Sequence, residues 1–166
     1  MKRILVIFFL VIFLILSISS LRSYLFKPKE NPNFKIIKIE NKKIININEL
    51  VLYVDIAKTQ QEKAKGLSGR NGLKDNEGML FLFEKKQIPS FWMKGMLFPI
   101  DIIWISDNLV VDIDKDIPNP NSKVDEKDLI LYSPNEPVNY VLEVKAGLSD
   151  RYNIKVGDKV DLSSIN

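Results

Sequence analysis

Gly78-Met79-Leu80-Phe81, Phe91-Trp92-Met93-Lys94 and Pro99-Ile100-Asp101-Ile102-Ile103-Trp104-Ile105 follow one another between positions 78 and 105, a stretch that holds both tryptophans and every methionine except Met1. The last of these segments is β-branched or aromatic almost throughout, the composition of a strand covered on both faces. Period-2 alternation puts Asp101 on one face with Ile103 and Ile105, and Ile100, Ile102 and Trp104 on the other. A carboxylate in such company needs a cation or backbone donors, or it takes up a proton. Asp101 is therefore either a structural acceptor or a functional group at the mouth of a pocket. As a structural group it would accept from amides of the Lys94 to Pro99 turn, or pair with Lys94 or Arg70.

Working outward, strands are expected at Leu50 to Ala57, Gly78 to Phe83, Phe91 to Met93, Ile100 to Ser106, Leu109 to Ile117, Val138 to Val144 and Lys159 to Leu162, with a tight turn at Asp107-Asn108. Phe34 to Glu40 and Lys43 to Ile47 alternate Ile with polar residues around Asn41-Lys42, which reads as a hairpin. Thr59-Gln60-Gln61-Glu62 is a capping box opening a helix that Gly66 closes, and Gly147 to Tyr152 predicts one further helical turn. Pro118 to Asp128 is a long polar loop, and a structural domain presenting it to a partner protein is a third functional possibility. The fold class that results is mainly β with some α: a compact small β-barrel or sandwich with one or two short helices, preceded by an N-terminal hydrophobic helix.

Gly66-Leu67, Gly-Met-Leu-Phe, Phe-Trp-Met-Lys, Pro-Ile-Asp, Leu142-Glu143 and Ala146-Gly147, in this order, resemble the motifs of the domain of unknown function 192 family, also called the uncharacterised ACR family. The resemblance runs from about Val51 to Leu162. It implies one mostly β domain with a short helix or two and no established activity. It also implies that Arg70 stands at the family's arginine after the Gly-Leu element, and it strengthens the case for Lys94 as a functional residue. Gly95 departs from the pattern, since the family often has Asn there.

The 166 residues, 46% of them hydrophobic, suffice for one domain with a core. Cysteine and histidine are both absent. That removes disulfides, thiol nucleophiles, Ser-His-Asp triads, histidine bases and the usual transition-metal ligands. No cofactor or metal is called for. Asp112, Asp114 and Asp116 alternate like the start of a calcium loop, but Ile117 and Lys123 stand where the glycine and the bidentate glutamate belong, and a solvated strand face is the better reading. Lys2, Arg3, Arg22, Lys27 and Lys29 against Glu30 put +4 into the first 30 residues, so that of the formal net charge of +3 the remainder carries −1. A near-neutral domain argues against nucleic acid as a partner.

Met1-Lys2-Arg3 precedes an unbroken apolar run, Ile4 to Leu16, and no Ala-x-Ala site follows it. Residues 1–22 read as a signal anchor or signal peptide, 23–33, with Pro28 and Pro32, as a linker, and 34–166 as a single globular domain. The expected location is the cell membrane, with a single-pass N-terminal anchor and the domain outside the cytoplasm; secretion after cleavage is the alternative.

With no histidine, chemistry falls to carboxylates, lysine, arginine, tyrosine and hydroxyls. Asp101 and Glu143 are the candidate catalytic pair. Trp92, Lys94, Asp101 and Arg70 are the candidate ligand-binding residues, with Phe91, Phe98 and Trp104 as further aromatic lining and Trp92 as the exposed wall. Two functions follow. One is a membrane-anchored binding or accessory module for a small molecule, glycan or peptide. The other is a carboxylate-dependent hydrolase or lyase acting on envelope polymers.

Overall fold

Residues 42–120 and 125–165 are described by a computed structural model. Strands β1 (Lys43–Ile47), β2 (Leu50–Ala57), β3 (Glu77–Gln87), β5 (Ile100–Ser106), β6 (Leu109–Ile117), β8 (Val138–Lys145) and β9 (Val160–Asp161) form one seven-stranded sheet in the order β6-β5-β8-β3-β2-β1-β9. The short strands β4 (Phe91–Trp92) and β7 (Leu131–Tyr132) pair as a separate ribbon. Helix α1 (Gln60–Lys65) connects β2 to β3, the parallel pair, and α2 (Leu148–Arg151) follows β8.

Alternation along the strands sorts the core into two layers. Leu52, Val54, Leu80, Ile103, Ile105, Leu142 and Val144 pack on one face with Val110, Leu148 and Val160. Met79, Phe81, Ile100, Ile102, Trp104 and Val141 pack on the other, beneath Leu67, Met93 and Met96. Six of the seven residues of β5 are buried, as its composition requires. Both edge strands feed the first layer because the sheet curls into a half-barrel. Its edges meet where the Val110 N–H donates to the Asp158 carbonyl (2.9 Å) and the Val160 N–H to that of Asn108 (2.8 Å).

Two expectations change. The sheet is a curled half-barrel, its edge strands touching at one isolated bridge between Leu109 and Lys159, where a compact small β-barrel or sandwich was expected. β1 pairs with β2 through a turn in which Asn48 takes φ 52 and, at Asn46 and Ile47, with β9 on its other side; the other half of the expected hairpin, Phe34 to Glu40, lies outside the described residues. Alternation sets the faces of a strand but not its neighbour, and here packing chose. β3 runs to Gln87, past Phe83. The hydrophobic leader and linker also lie outside the described residues, among which no helix is long and apolar enough to cross a membrane.

Candidate functional site

Asp101 is fully buried, and its carboxylate accepts three backbone amides: Oδ1 from Asp116 (2.9 Å) and Gly147 (3.1 Å), Oδ2 from Ser149 (2.9 Å). Each of those amides would otherwise be orphaned. The β5–β6 register slips by one residue between Ile100↔Ile117 and Ile102↔Asp114, a bulge in which Asp116 takes φ 50. Gly147 and Ser149 open α2, which has no side-chain cap of its own. Asp101 thus fastens a bulge, a turn and a helix start from a distance. Its partners are not the amides of the Lys94 to Pro99 turn, nor Lys94, nor Arg70.

Glu143 lies on the opposite face. Cross-strand neighbours share a face, and the registers pair Asp101 with Val144 but Glu143 with Met79 and Ile102. The two carboxylates therefore form no pair. Set between apolar neighbours, Glu143 is 5% exposed, and its Oε2 has no hydrogen-bond partner among the described residues. Burial pushes its carboxyl up to about 8, with the Arg70 guanidinium pulling it back only in part. Arg70 itself is held by Asp55 (2.7 Å), the residue that pairs with Met79 on the far side from Glu143.

Glu143 lines a pocket of about 220 Å³ on the second face of the sheet. The buried part of its lining is Leu67, Phe81, Met96 and Glu143. α1 contributes Gln60, Lys63, Ala64 and Lys65, the first three at positions that helical spacing places on one side. β4 contributes Phe91 and Trp92, and Lys94 stands just beyond. The wall is closed where the Gly69 N–H donates to the Gly95 carbonyl (2.9 Å). Gly95 has φ +68, and a Cβ there would fall 2.2 Å from Ser68 Oγ, so the asparagine that the family often carries does not fit this turn without rearrangement. Phe91 meets Phe81 and Trp104 edge to face, with ring centres 4.8 and 5.5 Å apart. Trp92, by contrast, is 45% exposed.

Of the sequence candidates, the pocket gathers Trp92, Lys94, Glu143 and Phe91. It leaves out Asp101, Arg70, Phe98 and the fully buried Trp104. Lys94 Nζ is 2.6 Å from Glu126 Oε2 and 5.7 Å from the centre of the Trp92 ring. Lys63 is the residue that sequence reasoning passed over. Its amine lies 4.3 Å from the centre of the Phe83 ring, and neither it nor Lys65 has an acidic partner among the described residues. The spacing of Gln60, Lys63 and Ala64 could have shown their shared face, but nothing in it says what that face looks onto. The aspartates of β6 have separate tasks. Asp114 accepts the Trp104 indole N–H (2.8 Å) and is raised by burial, which that bond partly offsets, while Asp112 accepts from the Asn135 side chain (2.7 Å).

A family model described as Uncharacterized ACR, the domain of unknown function 192, matches residues 43–162. Two solved structures are similar. A protein of unknown function from Novosphingobium aromaticivorans DSM 12444 is 33% identical, with a TM-score of 0.63 over 71% of this chain and 83% of that one. A protein from Sinorhizobium meliloti 1021, provisionally described as a transcription regulator, is 26% identical, with a TM-score of 0.64 over 73% and 93%. No curated protein matches.

Proposed function

The chain belongs to the domain of unknown function 192 family, and because that description carries no activity, we propose from the site itself that it is a ligand-binding or accessory module, anchored by its N-terminal hydrophobic segment outside the cytoplasm. One observation carries the binding half of this reading: a carboxyl with an oxygen that has no partner among the described residues is buried in the lining of a pocket walled by aromatic rings and lysines. An apolar side chain in its place would avoid the desolvation cost of an unpaired polar group, about 1–3 kcal/mol. A residue kept at such a cost is better explained by what it binds than by what it stabilises. The anchor half rests on the charged start and apolar run of residues 1–22.

A hydrolase or lyase is the weaker reading. The two carboxylates on which it depended face apart, and Asp101 already spends both oxygens on the backbone. The test is a thermal-shift screen of neutral, anionic and cationic monocyclic fragments, run on the wild type and on Glu143→Leu. The variant should be more stable by about 1–3 kcal/mol and should lose or weaken the shifts given by fragments that carry a hydrogen-bonding group for the carboxyl. If Glu143→Leu is destabilised, or if every shift survives in it, Glu143 is not the ligand's partner and this reading fails.

A further inference from the structure

The distribution of charge in the pocket says which ligands it can take. Its lining includes Lys63, Lys65 and Lys94 but only one carboxyl, Glu143. Lys94 is matched by Glu126; Lys63 and Lys65 have no such match among the described residues. The lysines are on the open side, half-buried or exposed, whereas Glu143 is 5% exposed. A cationic ligand would have to pass these ammonium groups. It would also find the Phe83 ring taken by Lys63 at 4.3 Å, and Lys94 5.7 Å from the Trp92 ring. A volume of about 220 Å³ leaves room for a single ring with substituents, since a dry cavity of about 150 Å³ already holds benzene.

We propose that the pocket takes a small amphipathic anion, with its acidic group at Lys63, a ring or short apolar body against Phe81, Phe91 and Trp92, and a hydroxyl or carbonyl at Glu143. This rests on the binding reading above and adds the ligand's polarity and orientation. A buried neutral carboxyl both donates and accepts, so it can serve either kind of head group. Lysine binds an acid as a point charge, without demanding the planar geometry that arginine would. The acidic group can therefore be a carboxylate or a phosphate.

Isothermal titration of the full chain in detergent micelles tests this with three probes of similar size: 4-hydroxyphenylacetate, phenylacetate and tyramine. 4-Hydroxyphenylacetate should bind tightest, about tenfold or more ahead of tyramine, which places like charge against the lysines. Removing the hydroxyl, as in phenylacetate, should cost about threefold to tenfold. Glu143→Leu should erase that difference while leaving phenylacetate bound, and Lys63→Gln should weaken both anions by about twofold to fivefold. Tighter binding of tyramine, or a hydroxyl advantage that survives in Glu143→Leu, overturns the proposal. It is overturned as well if neither anion binds while the fragment screen still returns Glu143-dependent hits, although the pocket reading then stands. If the screen too is silent, both have fallen.

Discussion

Asp101 and Glu143 are two buried acids on adjacent strands with opposite roles, and the difference lies in their partners. Asp101 has backbone donors from residues 15, 46 and 48 positions away. Asp101→Asn would turn an amide N–H₂ toward amides that need an acceptor. We expect a loss of about 2–4 kcal/mol in a denaturant titration at neutral pH; an unchanged midpoint would mean those amides are satisfied otherwise. Glu143 makes the complementary prediction. Unfolded, it ionises around the ordinary 4.5; folded, it keeps its proton to about 8. The folded chain thus binds the extra proton between these values, so stability relative to Glu143→Gln is full below 4.5, falls as pH rises toward 8, and is flat above. A difference independent of pH would show the carboxyl to be solvated. The sequence made the burial of Asp101 legible through its Ile and Trp neighbours. Its three donors were illegible because they come from parts of the chain that only the finished fold brings near. Glu143, between Leu142 and Val144, gave no sign of which side it faced.

At the scale of elements, local chemistry was the reliable guide. α1 begins as the capping box requires: the Glu62 N–H donates to Thr59 Oγ1 (3.2 Å), and Glu62 Oε2 accepts from the amides of Thr59 (2.8 Å) and Lys58 (2.9 Å), which lower its pKa. Thr59→Ala should cost about 1 kcal/mol, with faster hydrogen exchange confined to α1; protection lost equally across the sheet would mean that the cap supports more than its helix. Because α1 supplies Gln60 and Lys63 to the pocket, the same change should weaken ligand binding too. The partners of β1 show where local reading ends. Lys43 to Ile47 was correctly a strand, yet its partners come from β2 and from β9, more than a hundred residues along. Gly78 marks another such limit. A Cβ there would lie 2.9 Å from the Glu143 carbonyl, so the glycine of the Gly-Met-Leu-Phe segment lets β3 lie close to the strand that carries the site.

For the whole molecule, the sequence pattern set the class: a mainly β fold with two short helices among the described residues followed from periodicity. Curvature did not, because it depends on where the edge strands meet. The proposed anchor makes a separate prediction: protease added to intact cells should remove the domain, and full protection would contradict an external location. One further consequence lies in the strand order. β8 sits between β3 and β5 yet is made after both, and β1, the first described strand, pairs with β9, the last. During synthesis β5, apolar on both faces, has no neighbour on its β8 side until residue 145 has emerged, and the half-barrel has no seam until 161. Folding is therefore a late event in the life of the chain. Until then its unpaired strand edges are open to aggregation.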